Sequence, residues 1–287
     1  MKLFLSVRIA EEFHSKERAF LSLDELADLA KAAAYGGLCM RASQVGIQSS
    51  PEAVEKAAVV LKARGLAVSM VTGDFDIVYN NDAAPNCLRE IRPYLKLARA
   101  LHAPLIRVAL KKEEDISWAQ RAADEAAPLG LKLVHQCHVE SLFETVAGIE
   151  RTLRQINRPN FGLIYEPANL ELCGQDYGPK TVERLAPWIF NVYLQNQMLR
   201  PDGEITLNTW CRGPVRFDLI PIHAAGGIDF EGVFQGLAAI GYRGPVTVHQ
   251  AGQKGESLRT PDAMRENPSG TEIERTQRPP SPRPHCH

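Results

Sequence analysis

Short, mostly apolar runs in the second half of this chain each end in polar side chains. The runs cover residues 131–134, 161–165, 188–194 and 246–248. A strand that is buried on both faces reads as continuous hydrophobicity, so polar groups at its end need hydrogen-bond partners, water or a ligand. Because the same ends of successive parallel strands meet at one place, the pattern predicts one shared site. The polar residues that follow the runs are His135, Gln136, His138, Glu166, Asn169, Gln195, Asn196, His249 and Gln250.

Candidate strands and helices alternate along the chain as far as residue 251. Most successive strands begin about 27–38 residues apart, which is the length of one strand–helix unit. Eight such units predict a (β/α)8 TIM barrel over residues 1–252, with its site at the carboxyl ends of the strands. A doubly wound open sheet is the rival, but no strand is followed by the glycine fingerprint of a dinucleotide-binding fold. The strands are predicted to begin near Leu3, Leu38, Leu66, Pro104, Leu131, Phe161, Ile189 and Pro245.

Capping residues mark the ends of the predicted helices. Ser22 or Asp24 begins the first helix, and Ser50 begins the second with Pro51 in its first turn. Glycines stand at the start of several strands. We expect each to adopt the left-handed conformation that ends a helix and turns the chain back toward the sheet. These glycines are Gly37, Gly65, Gly130 and Gly244.

Two segments interrupt the alternation. Residues 200–228 follow the seventh strand and are rich in glycine, proline and arginine, which predicts a long loop acting as a lid or substrate clamp. Residues 253–287 contain six prolines and few apolar residues. Such a segment buries too little surface to offset the entropy lost on ordering. It is predicted to be a disordered tail.

Composition narrows the functional classes. Hydrophobic residues make up 45% of the 287 residues, enough for a sizeable core. The formal net charge of −1 provides no electrostatic footprint for nucleic acid or an anionic membrane. The six cysteines lack zinc-knuckle or disulfide spacing, and no apolar run is long enough to span a bilayer. We therefore expect a cytoplasmic protein that binds a small molecule; assembly into a homo-oligomer is left open.

The period of two along a strand indicates which polar side chains point into the barrel. Gln136 and His138 share one face of the fifth strand, and Tyr193 and Gln195 share one face of the seventh. Any single polar residue of this kind is more often a structural hydrogen-bonding group, so the prediction depends on their common position. The other candidates are Glu166 and Asn169 after the sixth strand, His249 on the eighth, and Arg41 and Arg107 in the first half.

Three motifs give the chain a resemblance to a known family. They are Ala-Tyr-Gly-Gly-Leu-Cys-Met-Arg at 34–41, Leu-Ala-Arg-Ala-Leu-His-Ala-Pro-Leu-Ile-Arg-Val at 97–108, and Gly-Ile-Asp-Phe-Glu-Gly-Val-Phe at 227–234 followed by Gly-Tyr-Arg-Gly-Pro-Val-Thr-Val at 241–248. The layout resembles the sugar phosphate isomerase/epimerase family of xylose isomerase-like barrels over roughly residues 1–251. That family also includes inosose dehydratases, hydroxypyruvate isomerases and endonuclease IV.

The resemblance implies a divalent metal ion held by Glu, Asp, His and Glu from strands five to eight. The metal polarises a hydroxyketone or hydroxyaldehyde while two carboxylates move the proton. This chain departs from the ligand pattern at every strand. The family's Glu-x-His is Gln136-Cys137-His138, its Asp-x-x-His is Glu166-Pro167-Ala168-Asn169, its His-x-Lys-Asp is Tyr193-Leu194-Gln195-Asn196, and its final Glu is His249.

One carboxylate of the usual three therefore remains. The resemblance leaves Gln136, Glu166 and His249 as ligands for Mn, Zn, Mg or Fe, since oxygen and imidazole ligands suit these metals. Glu166, His249 and His138 are the candidate residues for proton transfer. The predicted substrate-binding residues are Arg41, Arg107, Asn169, Tyr193, Gln195 and Asn196.

Three functions are compatible with this sequence. The first is a metal-assisted isomerase or epimerase of a sugar or polyol. The second is a catalytically silent barrel that binds a sugar through amide hydrogen bonds. The third, a nuclease for abasic DNA, is disfavoured because that chemistry needs several metals and a basic face for DNA. Metal content separates the first hypothesis from the second.

Overall fold

The computed structural model describes residues 1–12 and 15–252 of the chain. Eight parallel strands close into a barrel in the order β1-β11-β7-β6-β5-β4-β3-β2, so the predicted TIM barrel is confirmed. The predicted tail at 253–287 lies outside the described residues. The barrel strands are β1 (Lys2–Ser6), β2 (Gly37–Arg41), β3 (Ala67–Thr72), β4 (Leu105–Val108), β5 (Lys132–Gln136), β6 (Phe161–Tyr165), β7 (Ile189–Leu194) and β11 (Pro245–Val248).

Helices connect the strands and cover the outside of the barrel. Ser22 caps α1, where its hydroxyl accepts a hydrogen bond from the Glu25 backbone N–H and the Glu25 carboxylate accepts one from the Ser22 backbone N–H. Ser50 caps α2 as expected. No helix of the described ranges is long and apolar enough to cross a membrane. The helices are α1 (Leu23–Ala32), α2 (Pro51–Ala63), α3 (Phe75–Tyr79), α4 (Asn86–Arg89), α5 (Arg92–Ala100), α6 (Asp115–Ala126), α7 (Val146–Ile156), α8 (Pro167–Leu172), α9 (Pro179–Leu185) and α10 (Phe230–Ala239).

Apolar side chains form two layers around the strands. One layer packs between the strands and the surrounding helices and contains most of the buried aliphatic residues. The other fills the interior of the barrel below the mouth, with one side chain from each of six strands. These are Cys39, Met70, Leu105, Val134, Ile164 and Tyr193. The interior is therefore a packed core, and a ligand has access only to the ends of the strands.

Glycine conformations follow the prediction at two of the four positions. Gly65 and Gly130 adopt left-handed φ values of 69° and 67° after their helices. The expectation is wrong for Gly37 and Gly244, which do not adopt a positive φ. The left-handed residues before those two strands are Ala34 (φ 59°) and Gly241 (φ 63°).

Gly37 is required for a different reason, which is the close approach of β2 to β3. A Cβ atom at this position would lie 1.8 Å from the carbonyl oxygen of Ala67. Because only backbone lies in the way, Gly37→Ala is expected to lower the free energy of unfolding by at least about 1–3 kcal/mol. Gly36→Ala is the matched control, since its added Cβ would meet Leu3 at an ordinary 3.5 Å. Denaturant unfolding of both variants tests this, and equal stabilities would contradict it.

The segment after the seventh strand is not the predicted loop. It forms a three-stranded antiparallel sheet in the order β8-β10-β9. Phe217 packs with Val139, Leu172 and Cys173, so the apolar face of the sheet lies against the barrel. Two arginines of this segment hold the backbone, since Arg216 donates to the Pro201 carbonyl at 3.3 Å and Arg212 donates to the Leu172 carbonyl of α8 at 3.2 Å. The strands are β8 (Gln197–Leu199), β9 (Ile205–Thr209) and β10 (Gly213–Leu219).

Candidate active site

A cavity of about 340 Å³ opens at the carboxyl ends of the barrel strands. One wall is the small sheet, which contributes four apolar side chains from β9 and β10. The floor is polar and includes one residue from most of the strands. The polar floor residues are Arg41, Arg107, Gln136, Glu166, Gln195 and His249, and the apolar wall residues are Ile205, Leu207, Phe217 and Leu219.

A larger groove lies elsewhere on the molecule. It has a volume of about 1120 Å³ and runs between α2 and α5, with mostly apolar surface such as Val54, Ala58 and Leu97. A site for polar chemistry needs convergent hydrogen-bonding groups, and these are concentrated at the mouth of the barrel. The smaller cavity is therefore the candidate active site.

Glu166 follows β6 directly and is held by two amides. Its Oε2 accepts hydrogen bonds from the side chains of Gln136 and Asn169, the latter at 2.6 Å. Asn169 also donates to the Cys137 carbonyl at 2.7 Å, which fixes the amide in place. Among the described residues, no hydrogen bond reaches the second oxygen, Oε1. That oxygen is therefore available to a bound molecule.

The surroundings of Glu166 bring the pKa of its carboxyl group close to neutrality. The side chain is buried, and the loss of water raises its pKa to about 7. The bond from Gln136 and the positive charges of Arg107 and Arg8 oppose this rise and limit it. A carboxylate with a pKa close to the working pH is suited to act as a general base.

Gln136 supplies an acceptor beside this carboxylate. While its Nε2 donates to Glu166, its Oε1 is buried without a hydrogen-bond partner in the described residues. An unsatisfied buried carbonyl is costly unless a ligand donates to it. A hydroxyl group of a bound molecule would satisfy this oxygen.

His249 follows β11 directly and is fixed by its neighbours. Its Nδ1 bonds the Ser6 hydroxyl at 2.9 Å, and its ring stacks on Tyr193 with 3.9 Å between ring centroids. Burial, together with the guanidinium of Arg41, lowers its pKa well below the usual value. His249 is therefore a neutral imidazole at physiological pH.

The other histidine candidate lies at the edge of the cavity. The Nδ1 of His138 bonds the Val139 carbonyl at 2.9 Å, and burial lowers the pKa of His138 well below its usual value. His135 points to the opposite face, where it bonds Val108 and packs edge-on against Phe143. The predicted alternation along this strand is confirmed.

Arg41 forms a buried ion pair. Its Nε and Nη2 donate to the two carboxylate oxygens of Glu11 at 2.6 and 3.0 Å, and Ser43 donates to the same carboxylate at 2.9 Å. Glu11 follows β1, so the pair connects the beginning of the chain to β2. Arg41 lines the cavity, but its charge is already balanced.

Two predicted substrate-binding residues do not line the cavity. Tyr193 lies in the barrel interior, where its hydroxyl is 3.3 Å from the sulfur of Cys39 and its ring supports His249. Asn196 holds the chain after β10 in place, since its side chain donates to the Pro221 carbonyl at 2.9 Å and accepts from the Ile228 backbone N–H. Both act on the shape of the site. Arg41, Arg107, Asn169 and Gln195 do line the cavity.

Sequence reasoning missed the contribution of the first strand. Arg8 lies in the single helical turn that follows β1, and Lys16 lies a few residues further along; both border the cavity. Burial and nearby guanidiniums lower the pKa of Lys16 to about 7 and that of Arg8 to about 10. The apolar run of β1 also ends in polar residues, so the pattern used for the later strands applies to this strand as well.

The residues at this mouth do not fit the divalent metal that the resemblance implies. Glu166 is the carboxylate among the three expected ligands, and its Oε2 already accepts two amide hydrogens. The positive charges of Arg8, Lys16, Arg41 and Arg107 all act on His249 and lower its pKa. A divalent cation would meet repulsion from Arg8, Lys16 and Arg107, which are unpaired among the described residues, and Glu166 is the one carboxylate of the expected ligand set that could offset it.

One cluster of metal-ligand type occurs elsewhere in the described ranges. Ligand atoms of Glu144, Cys173 and Cys211 lie within 4.8 Å of one another. The Glu144 carboxylate is occupied there by the backbone N–H groups of Trp210 at 2.7 Å and Cys211 at 2.9 Å. This carboxylate anchors the turn between β9 and β10, which explains its burial without a metal.

Comparison with known proteins establishes the family. The profile of the xylose isomerase-like TIM barrel family matches residues 27–270, and the chain belongs to that family. No curated protein matches the chain in sequence.

Solved structures share the fold at low sequence identity. The probable 3-DHS dehydratase AsbF involved in petrobactin synthesis from Bacillus anthracis has a TM-score of 0.66 at 15% identity, covering 92% of this chain and 96% of that one. D-allulose 3-epimerase from Methylomonas sp. in complex with D-allulose has a TM-score of 0.62 at 16% identity, covering 86% and 83%. A xylose isomerase-like barrel from Mycobacterium smegmatis in complex with magnesium has a TM-score of 0.62 at 13% identity, covering 86% and 89%.

Proposed function

We propose that this barrel is an isomerase of a small polyhydroxylated carbonyl compound, with Glu166 as the base. The observation that carries the proposal is the Glu166 carboxylate itself. It lies in a cavity of sugar size, its orientation is fixed by two amides, and its second oxygen has no partner among the described residues. The structural similarity to D-allulose 3-epimerase supports a sugar-like substrate class.

The chemistry is a proton transfer next to a carbonyl group. Glu166 removes a proton from a hydroxyl-bearing carbon, and the electrons of the C–H bond form an enediolate with its negative charge on oxygen. The cations around the cavity stabilise that charge. Glu166 then returns the proton to the neighbouring carbon while the hydroxyl proton passes between the two oxygens, so the atoms and charges balance.

A single carboxylate favours isomerisation over epimerisation. Moving a proton between adjacent carbons on one face requires one base, whereas inversion at one carbon needs a proton donor on the opposite face. Burial lowers the pKa of both His249 and His138 well below the usual value, so neither carries an acidic proton at neutral pH. We therefore propose isomerisation in preference to epimerisation.

The proposal involves no step through a metal ion. The family resemblance and the magnesium-containing relative favour a divalent metal, but the donor set around Glu166 is poor in carboxylates and rich in positive charge. Gln136, Glu166 and His249 are the residues that a metal would contact. Loss of activity after treatment with a chelator would indicate a metal-dependent reaction, and retained activity would support the metal-free one.

A silent sugar-binding barrel is the second candidate. The amides of Gln136, Asn169 and Gln195 border the cavity and suit hydroxyl recognition without chemistry. Binding of sugars without turnover would select this alternative.

The pH dependence of turnover tests the role of Glu166. The base is active when deprotonated, so with a pKa of about 7 for Glu166 we expect kcat/KM to fall about tenfold for each unit of pH below 7. The measurement is turnover of an aldose and ketose panel by chelator-treated protein between pH 5 and 9. Activity that stays constant from pH 5 to 7 would contradict the assignment.

A further inference from the structure

Three cationic side chains at the cavity have no carboxylate partner. Arg8, Lys16 and Arg107 all border it. In the part of the chain that the structure describes, no Asp or Glu oxygen lies within 4.0 Å of their charged nitrogens. Arg41, the fourth cation, is neutralised by Glu11 at 2.6 Å. The cavity therefore contains a cluster of cations whose charge is not balanced by direct ion pairs.

The burial of Arg107 makes this imbalance costly. Only 3% of its surface is exposed, and its Nε has no hydrogen-bond partner in the described residues. The Nε of Arg8 is also buried and unpartnered. Burying an unpaired charge is expensive, and such groups normally meet a counter-ion. The two guanidiniums therefore carry charge that no carboxylate of the described residues balances directly.

The carboxylates that border the cavity do not supply this anion. Glu12 is directed to Arg18, 3.9 Å away, and Glu166 is bonded by amides. Glu140 makes no ion pair within 4.0 Å among the described residues. The pKa of Lys16 falls to about 7, with burial as the largest cause and Arg8, Arg41 and Arg107 as the next. At Lys16 the repulsion from the three guanidiniums therefore outweighs the attraction of Glu11.

We propose that Arg8, Lys16 and Arg107 form a subsite for an oxyanion, a carboxylate or a phosphate, carried by the substrate. The proposal rests on the isomerase function proposed above and specifies its substrate class. Guanidinium groups present donors in a fork that matches the oxygens of both anions, and an ammonium adds a point charge. A bound anion would satisfy the two unpartnered arginine nitrogens and lower the repulsion among the cations.

The arrangement favours a sugar acid or a sugar phosphate over a neutral sugar. Among the cations, Arg107 lowers the pKa of Glu166 the most. Its five donors let it contact the anionic group and the developing enediolate together. The anionic end of the substrate then lies toward β1 and β4, and the reacting carbon lies next to Glu166.

Calorimetric titration of the full-length protein at pH 6 and low salt tests the subsite. The probes are gluconate for a carboxylate, fructose 6-phosphate and inorganic phosphate for a phosphate, and glucitol as the neutral polyol. We expect at least one anion to bind about tenfold or more tightly than glucitol, since a hydrogen-bonded charge adds that much affinity. Preference for gluconate assigns a carboxylate, and preference for the phosphates assigns a phosphate.

Variants identify the residues responsible. Lys16→Gln changes a partly exposed side chain and should weaken anion binding about tenfold while leaving glucitol unchanged. Arg107→Gln should weaken it further, with thermal melting to verify that the buried variant is folded. Lys56→Gln removes the same charge on the exposed face of α2 and should leave binding unchanged.

The outcomes separate this proposal from the proposed function. Anion binding that persists in Glu166→Gln, in the absence of any turnover by the wild type, supports the subsite and removes the isomerase. The subsite is overturned if no anion binds better than glucitol, or if Lys16→Gln and folded Arg107→Gln bind anions as well as the wild type does.

Discussion

Glu166→Gln is expected to reduce kcat/KM by about a hundredfold to ten-thousandfold, the usual contribution of a general base. Glutamine retains an oxygen that can accept hydrogen bonds from Gln136 and Asn169, so the fold and the cavity should persist. It cannot take up a proton at neutral pH. The loss should therefore appear mainly in kcat, with little change in the melting temperature.

Glu171→Gln is the matched control for this experiment. This substitution makes the same chemical change on α8. The Glu171 carboxylate accepts a hydrogen bond from Gln197 at 3.3 Å and does not border the cavity. We expect its turnover to equal that of the wild type. If Glu166→Gln also retains full activity, Glu166 is not the base.

Glu11→Gln is expected to produce the largest loss of stability among the site variants. The Arg41–Glu11 side chains are 1% and 2% exposed, and removal of one partner leaves a buried guanidinium without its counter-charge. Breaking such a pair typically costs about 3–5 kcal/mol of unfolding free energy. For a domain of this size we expect Tm to fall by roughly 10 °C.

Glu12→Gln provides the comparison, because the Glu12–Arg18 pair is 3.9 Å long and largely exposed. An exposed pair contributes about 0–1 kcal/mol, so this variant should melt close to the wild type. Scanning calorimetry measures both. Equal Tm values for the two variants would show that the buried pair does not anchor the first strand to the second.

The barrel could be predicted because its strands have a strong and local signal. Each of the eight strands is a short apolar run flanked by capping or turn residues, and each lies where it was predicted. Burial on both faces makes such runs unmistakable against amphipathic helices. Because the strands are parallel, their carboxyl ends lie at the same end of the barrel. The polar residues that follow the strands are therefore expected at that end.

The sheet formed by β8, β9 and β10 was harder to recognise. Val215, Phe217 and Leu219 alternate with polar residues, as do Ile205 and Leu207, and this period of two is typical of a half-buried strand. The glycines, prolines and arginines of the segment favoured a loop instead. The alternation in these two segments is the sequence feature that predicts the hairpin.

The details of the site depend on contacts between residues far apart in sequence. His249 bonds Ser6, 243 positions away, and Tyr193 lies against Cys39, 154 positions away. No local sequence pattern indicates that the Tyr193 ring stacks on the His249 imidazole instead of lining the cavity. Likewise, Glu11 neutralises Arg41 across 30 positions, whereas Arg107 has no such partner in the described residues. That difference is visible only after folding.

Incorporation of deuterium from solvent tests the central claim most directly. Chelator-treated wild type and Glu166→Gln are each incubated in deuterium oxide with aldoses, ketoses, sugar acids and sugar phosphates, and the carbon-bound deuterium is measured by mass spectrometry. A base that exchanges its proton with solvent labels the carbon next to the carbonyl. The account predicts label in at least one compound with wild type and none with Glu166→Gln. No label in any compound with wild type, or equal label with both proteins, would contradict it.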